Sequence, residues 1–413
     1  MARISHILNT LLVVLPLANV WRIAKAKNLL VSGSSFQPTS DEDPPPVYMA
    51  SLLLILVLGC KVIASMIDWL SARQEEDTTN AAERALHHSI RDSGFFFYLM
   101  EIMSVDKVVP TVLKYPGVLA RKFRLSRHKR VIHYGQQSSS QKIEIYLPAQ
   151  TDEFRKPASG LVVFVHGGAW GSGGPASYEL MADTFMDVNW AIAVVGYRVY
   201  PEGDASTQIQ DVELAVAEIA KFFPLLCQNN VFLFGHSSGA HVCMLAIVER
   251  ARRDLEVSRI SSAAALDRRR KRINFDGLIG MSGPYNIDRH YDYEAGRGVE
   301  QISPMSPANG HSRQMFLRFS PAVQLVDIAS QCTSEDERQA VRCAIPPITL
   351  IHGLNDKTVP HSATEEAARL LKTTDVADCK EIYVDDTGHE QTIMELMLGG
   401  PVQDIFTKLL QEQ

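Results

Sequence analysis

The run Val231-Phe232-Leu233-Phe234 leads directly into Gly235-His236-Ser237-Ser238-Gly239, and residues 240–250 continue as an apolar helical segment. No other stretch constrains the fold as much. A wholly apolar run has no face to offer water, so it belongs to a strand covered on both sides. Glycines flanking a serine let the chain reverse sharply between strand and helix, which leaves the hydroxyl at the sheet end and at a helix N-terminus. Further strand-like runs occur at 161–165, 190–196 and 347–351, and a last one, opened by Glu381, at 381–384. Between them Val212, Ala215, Val216, Ile219 and Phe222 repeat at helical spacing. Buried strands alternating with helices require a mostly parallel sheet flanked by helices, an α/β fold.

A serine hydroxyl is a weak nucleophile and needs a base and an orienting acid. Asp356 follows the strand 347–351, within His352-Gly353-Leu354-Asn355-Asp356, and His389 follows 381–384, within Asp385-Asp386-Thr387-Gly388-His389. Ser237, Asp356 and His389 therefore stand in the chain order of a hydrolase triad. His352 and His361 flank Asp356 too closely in sequence to face it across a sheet. Asp385 or Asp386 in its place would share one loop with the base. His166 is read as a brace for its own loop, and His236 and His241 as neighbours of the nucleophile. The strand 161–165 ends in His166-Gly167-Gly168-Ala169-Trp170-Gly171. Backbone N–H groups of Gly168, Ala169 and Ser238 are the expected oxyanion donors, worth about 3–4 kcal/mol each. Gly167 supplies the bend, and Trp170 reads equally as pocket wall or core. This chemistry needs no cofactor, and no ligand cluster suggests a metal.

Composition sets the outer limits. With 413 residues and 46% hydrophobic, the chain has surface enough for a large core, which excludes a disordered protein. A net charge of -6 gives no reason to expect a nucleic acid partner. The six cysteines form no C-x-x-C pair and read mostly as buried free thiols. Residues 4–20 are uncharged, and 47–67, interrupted only by Lys61, match the ~30 Å hydrocarbon core of a bilayer. These segments make 1–70 a membrane anchor rather than a cleaved signal, since only Arg3 precedes the first. From 107 to 143 there are nine Lys/Arg and no acid, with Arg121, Lys122, Arg124, Arg127, Lys129 and Arg130 clustered. That patch is expected against an anionic leaflet, each cation adding about 1 kcal/mol. The expected organisation is an anchor over 1–70, a helical basic connector over 71–130 and a catalytic domain over 131–413. A cap-like insertion at about 282–345 carries Met305, Met315, Phe316, Leu317 and Phe319, which read equally as a greasy cap helix or as core contacts. Residues 251–272 are expected as a surface insertion.

From about residue 95 onward the chain resembles the isoprenylcysteine carboxyl methylesterases, membrane-bound α/β-hydrolases related to hormone-sensitive-lipase-like esterases. The likeness runs through Ile145-Tyr146-Leu147-Pro148, Gly167-Gly168-Ala169-Trp170, Tyr197-Arg198 and the elbow with Ala240-His241. It continues in Met281-Ser282-Gly283-Pro284-Tyr285-Asn286, Phe319-Ser320-Pro321, His352-Gly353, Asp356, Pro360 and Gly388-His389. The resemblance implies an α/β-hydrolase fold, with nucleophile, acid and base at Ser237, Asp356 and His389. It puts oxyanion and substrate contacts at Gly167, Gly168 and Ala169 and at His236, Ser237 and Ser238. It implies hydrolysis of the methyl ester on prenylated protein C-termini at an endomembrane of endoplasmic reticulum or Golgi type, with membrane lipids as neighbours and the catalytic domain on the cytosolic side. His166 and His236-Ser237-Ser238 depart from the family's Thr and Gln-Ser-Ala and lean toward other esterases and arylformamidases, acting on a small ester or amide. A degenerate hydrolase serving as membrane receptor or scaffold would show a broken triad, and none of the three residues is missing.

Overall fold

The computed structural model describes residues 117–148, 158–228, 230–260 and 272–412. The anchor expected over 1–70, and the connector up to residue 116, lie outside the described residues. Eight strands make one sheet: β1 Lys129–His133, β2 Lys142–Tyr146, β3 Gly160–Val165, β4 Trp190–Val195, β5 Val231–His236, β6 Gly277–Met281, β7 Ile348–Gly353 and β8 Cys379–Val384. The helices are α1 Val118–His128, α2 Met181–Met186, α3 Ala205–Phe222, α4 Ser238–Ile260, α5 Ile287–Gly296, α6 Met305–Ala308, α7 Arg313–Arg318, α8 Pro321–Ser330, α9 Glu335–Arg342, α10 Ser362–Lys372, α11 His389–Leu398 and α12 Pro401–Gln411.

The sheet runs β1-β2-β4-β3-β5-β6-β7-β8. β1 and β2 pair antiparallel, β2 joins β4 antiparallel, and every later pairing is parallel. The chain winds outward from β3 to β4, then returns past β3 to begin β5. The strand order thus reverses between β3 and β5, and in open parallel sheets ligands bind beyond the strand ends at such a point. Here the loop after β3 and the elbow after β5 meet there.

Alternation along β3 explains why both faces are filled. Leu161, Val163 and Val165 join Val212, Ala215 and Ile219 of α3 and Val242 and Ala246 of α4 in one core. Val162 and Phe164 face the other way, onto Phe185 of α2, Leu396 of α11 and Phe406 and Leu410 of α12. Each such side chain stabilises the fold by about 1.5–3 kcal/mol on burial. A strand with no polar face is therefore the one this architecture needs.

Several expectations are revised. The helix whose apolar spacing begins at Val212 starts earlier, at Ala205, because the Asp204 carboxylate caps it by accepting from the Thr207 amide at 2.8 Å. β6 was not anticipated, since its sequence GLIGM holds two glycines. Gly277 is needed there, for a Cβ would stand 2.2 Å from the Phe232 ring. Residues 251–260 are no insertion: they extend α4 and bury Ala251 and Leu255, while 261–271 lie outside the described residues. The cap region is not one greasy helix but the short α5, α6 and α7, with Met305, Phe316 and Phe319 buried and Leu317 44% exposed.

The basic cluster also makes ion pairs within the fold. Arg121 and Arg124 of α1 pair with Asp183 at 2.7 and 2.9 Å, and Lys122 reaches Glu179 at 3.4 Å. Lys129 lies 3.2 Å from Glu144. Arg121, Lys122, Arg124 and Lys129 are thus directed at acids of the hydrolase domain, which a local charge count cannot foresee. Among the described residues no helix is long and apolar enough to cross a membrane.

Candidate active site

The elbow is built by exclusion of side chains. Ser237 is the single residue between β5 and α4 and holds φ at 55°, a left-handed conformation costly for a residue with a Cβ. Its amide donates to the Met281 carbonyl at the end of β6, 2.8 Å away. Gly239 lets α4 start hard against β3, since a Cβ there would lie 2.2 Å from the Val165 carbonyl oxygen. Gly167 allows the loop after β3 the same approach: a Cβ would meet the Ser237 Cβ at 2.9 Å.

Ser237 Oγ donates to His389 Nε2 at 2.8 Å, and His389 Nδ1 donates to Asp356 Oδ2 at 2.7 Å. His389 is the first residue of α11, and Asp356 sits in the turn after β7. The three are 8%, 5% and 6% exposed, so the whole chain of hydrogen bonds is shielded from water. Asp356 Oδ1 accepts from the Thr358 and Val359 amides, both at 2.9 Å. Burial alone would raise the Asp356 pKa, but the facing His389 and His352 rings outweigh it and hold the carboxyl well below the usual carboxylate range. Ser-to-His and His-to-Asp contacts of this length suit proton transfer from the hydroxyl, with the carboxylate fixing the ring's tautomer.

His352 is not the residue that links Asp356 to Ser237, but it packs on the same carboxylate: fully buried, it holds Nε2 3.2 Å from Asp356 Oδ2 and 2.9 Å from the Val359 carbonyl. The Val359 carbonyl can only accept, so Nε2 carries a proton directed at this turn, while Nδ1 lies 2.7 Å from Thr364 Oγ1. His352 is the next-to-last residue of β7, and Asp356 lies in the tight turn four residues on. That His-Gly at a strand end was the available signal.

The loop after β3 holds Gly168, Ala169 and Trp170 at φ of 138°, 49° and 60°. The Gly168 carbonyl accepts from the Gly171 and Ser172 amides, and among the described residues no acceptor takes the Gly168 or Ala169 amide. Ser238 opens α4, where an amide has no acceptor within the helix. Three backbone donors are thereby left near the nucleophile. His166 braces this loop: Nδ1 donates to the Gly167 carbonyl at 2.8 Å, its ring stacks on Tyr197, and burial pushes its pKa down to about 4. Trp170 is 2% exposed and donates to His241 Nδ1 at 3.0 Å, while His241 Nε2 donates to the Phe319 carbonyl at 2.7 Å. Trp170 is thus an anchor that ties the loop to α4. His236 turns toward the base: Nε2 donates to the His389 carbonyl at 3.3 Å, and the two rings lie 5.1 Å apart. Burial, with the His389 ring adding to it, lowers the His236 pKa to about 3. Among the described residues no group of His, Cys, Asp and Glu could hold a metal.

With this geometry in place, the chain can be set beside known proteins. The BD-FAE family profile matches residues 143–371, more than half of the chain. Isoprenylcysteine alpha-carbonyl methylesterase of Arabidopsis thaliana is 27% identical over 285 residues, covering 68% of this chain and 61% of that protein. A probable isoprenylcysteine alpha-carbonyl methylesterase of Oryza sativa subsp. japonica is 24% identical over 308 residues, covering 73% of this chain and 69% of its own length. The chain thus matches less than two thirds of the Arabidopsis relative. The crystal structure of esterase B from Lactobacillus rhamnosis superposes with a TM-score of 0.51 at 16% identity, over 74% of this chain and 93% of that one, which shows the shared α/β-hydrolase fold.

Proposed function

The chain belongs to the BD-FAE family, and we propose that it is a serine carboxylic ester hydrolase acting on the methyl ester of a prenylated cysteine. The observation that carries this reading is the unbroken series from Ser237 Oγ through His389 to Asp356, placed where the strand order reverses. The methylesterases named among its relatives support the choice of ester.

His389 Nε2 takes the Ser237 proton as Oγ attacks the ester carbonyl, and the carbonyl electron pair moves onto oxygen. Amides of Gly168, Ala169 and Ser238 receive that oxyanion. Asp356 stabilises the imidazolium without taking its proton. Collapse of the intermediate breaks the bond to the methoxy oxygen, and His389 Nε2–H protonates it as methanol. Water, deprotonated by the same nitrogen, then attacks the acyl-enzyme, returning the carboxylate and the Ser237 hydroxyl. A prenylated substrate places the protein at an endomembrane with its catalytic domain on the cytosolic side, the role in which residues 1–70 act as anchor.

Ser237→Ala is expected to abolish turnover of a farnesylcysteine methyl ester and labelling by a fluorophosphonate probe; retained turnover would reject the reading. An aryl formamide and a short acyl ester, assayed alongside, decide the substrate. Higher kcat/KM on either than on the prenylcysteine ester would leave the triad chemistry but replace the substrate.

A further inference from the structure

Resting on the esterase reading above, one buried side chain beside the triad has a task that the proton transfers leave out. β7 brings His352 and Asp356 to the same place, the first near the strand's end and the second in the turn beyond it. Both side chains are fully shielded from solvent. The turn closes around them. Asp356 Oδ1 takes the Thr358 and Val359 amides, and the Val359 carbonyl takes His352 Nε2–H at 2.9 Å. That same nitrogen stands 3.2 Å from Asp356 Oδ2, the oxygen that accepts from His389 Nδ1. From behind, Thr364 Oγ1 fixes the ring at Nδ1, 2.7 Å away, and Thr364 is itself fully buried in the first turn of α10.

A carbonyl only accepts, so Nε2 is protonated whether the proton between Nδ1 and Thr364 Oγ1 sits on nitrogen or on oxygen. In either case the positive end of an N–H bond lies beside Oδ2. It draws on the negative charge that also stabilises the His389 imidazolium, and so weakens the hold of His389 on a proton. Through the Val359 carbonyl it also ties the acid's turn to the ring, and through Thr364 to α10.

We propose that His352 is a positioning residue for the triad: it pins the turn 356–359 and shares the Asp356 carboxylate with His389, setting how readily His389 accepts the Ser237 proton. Other titratable groups surround this centre among the described residues. His236 of β5 has its ring 5.1 Å from that of His389, Glu390 follows His389, and Lys357 follows Asp356. Tyr383 of β8 stands opposite His352 in register and donates to Glu381, and Asp386 lies 3.5 Å from Asn355 Nδ2. On α10, Glu365 lies near His361, and Glu366 pairs with Arg289. A change at 352 removes none of them, so a difference between variants there reports on that side chain.

The test sets two amides against each other at position 352 of the full-length protein. In His352→Gln the side-chain nitrogen reaches about as far as Nε2 and restores a donor beside Asp356; in His352→Asn it reaches only as far as Nδ1. Hydrolysis of the ester that the wild type turns over is followed from about pH 5 to 9. His352→Asn is expected to lower kcat roughly tenfold with KM within about twofold. Its acid limb of kcat/KM is expected to move upward by about half a pH unit or more, because a carboxylate relieved of the N–H holds the His389 imidazolium more tightly. His352→Gln is expected to recover most of both changes. A side chain that merely fills the core would leave the limb in place and make the two amides equivalent. Thr364→Val, which frees the ring and keeps every group around Asp356, replaces the Asn variant if that one does not fold, with a smaller upward shift expected. An unmoved limb in the folded variant, or Gln no better than Asn, would overturn the role of His352 while leaving the esterase reading intact. Turnover surviving in Ser237→Ala would instead remove that reading.

Discussion

Asp356 shows how a single residue is held for its task. One carboxylate oxygen is filled by two backbone amides, and the other is shared between His389 Nδ1 and the neighbourhood of His352 Nε2. Asp356→Asn keeps the shape but replaces an acceptor by an amide that can present N–H to His389, favouring the wrong tautomer. Its kcat is expected to fall by about four orders of magnitude with KM little changed, measured by steady-state hydrolysis; a loss under tenfold would deny Asp356 its role. The pairing of Asp356 with His389 was legible from the strand ends and chain order. The contact with His352 was not, because sequence separation says little about distance across a tight turn.

At the scale of elements, the elbow depends on α4 lying flush with β3. Gly239→Ala puts a Cβ 2.2 Å from the Val165 carbonyl oxygen, backbone that cannot swing aside. The variant is expected to lose about 1–3 kcal/mol in urea unfolding and to label slowly with a fluorophosphonate, since relief comes only by lifting Ser237 away from its base. Labelling at the wild-type rate would show that this contact does not place the nucleophile. The strands built from unbroken apolar runs were readable, since burial on both faces demands such runs. β6 was not, because its glycines serve close contacts with Phe232 and Tyr285 that belong to other parts of the chain. The helices over the site were misread as one because their apolar residues follow a folded surface instead of a single helical period.

Across the whole molecule, burial leaves His166, His236 and His241 with pKa values of about 4, 3 and 3, against ~6.5 in an unfolded chain. Below pH ~6.5 the unfolded chain takes up protons that the native state refuses, so stability is complete above that pH and declines as pH falls toward those values. The melting temperature is expected to drop between pH 6.5 and 4. His241→Gln should reduce the slope of unfolding free energy against pH by about one proton. An unchanged slope in that variant would mean that His241 charges in the native state.

The sequence by itself determined the α/β class, the order of nucleophile, acid and base, and the loop that offers amides to an oxyanion. Each of these follows from local patterning, in which apolar runs, flanking glycines and strand ends carry their own geometry. Only the tertiary structure decided which histidines face Asp356, that Trp170 anchors its loop through His241, and that α1 directs cations at Asp183 and Glu179. The reason is physical: electrostatic and hydrogen-bond partners are chosen by distance in space, and the folding of the sheet sets that distance independently of separation along the chain.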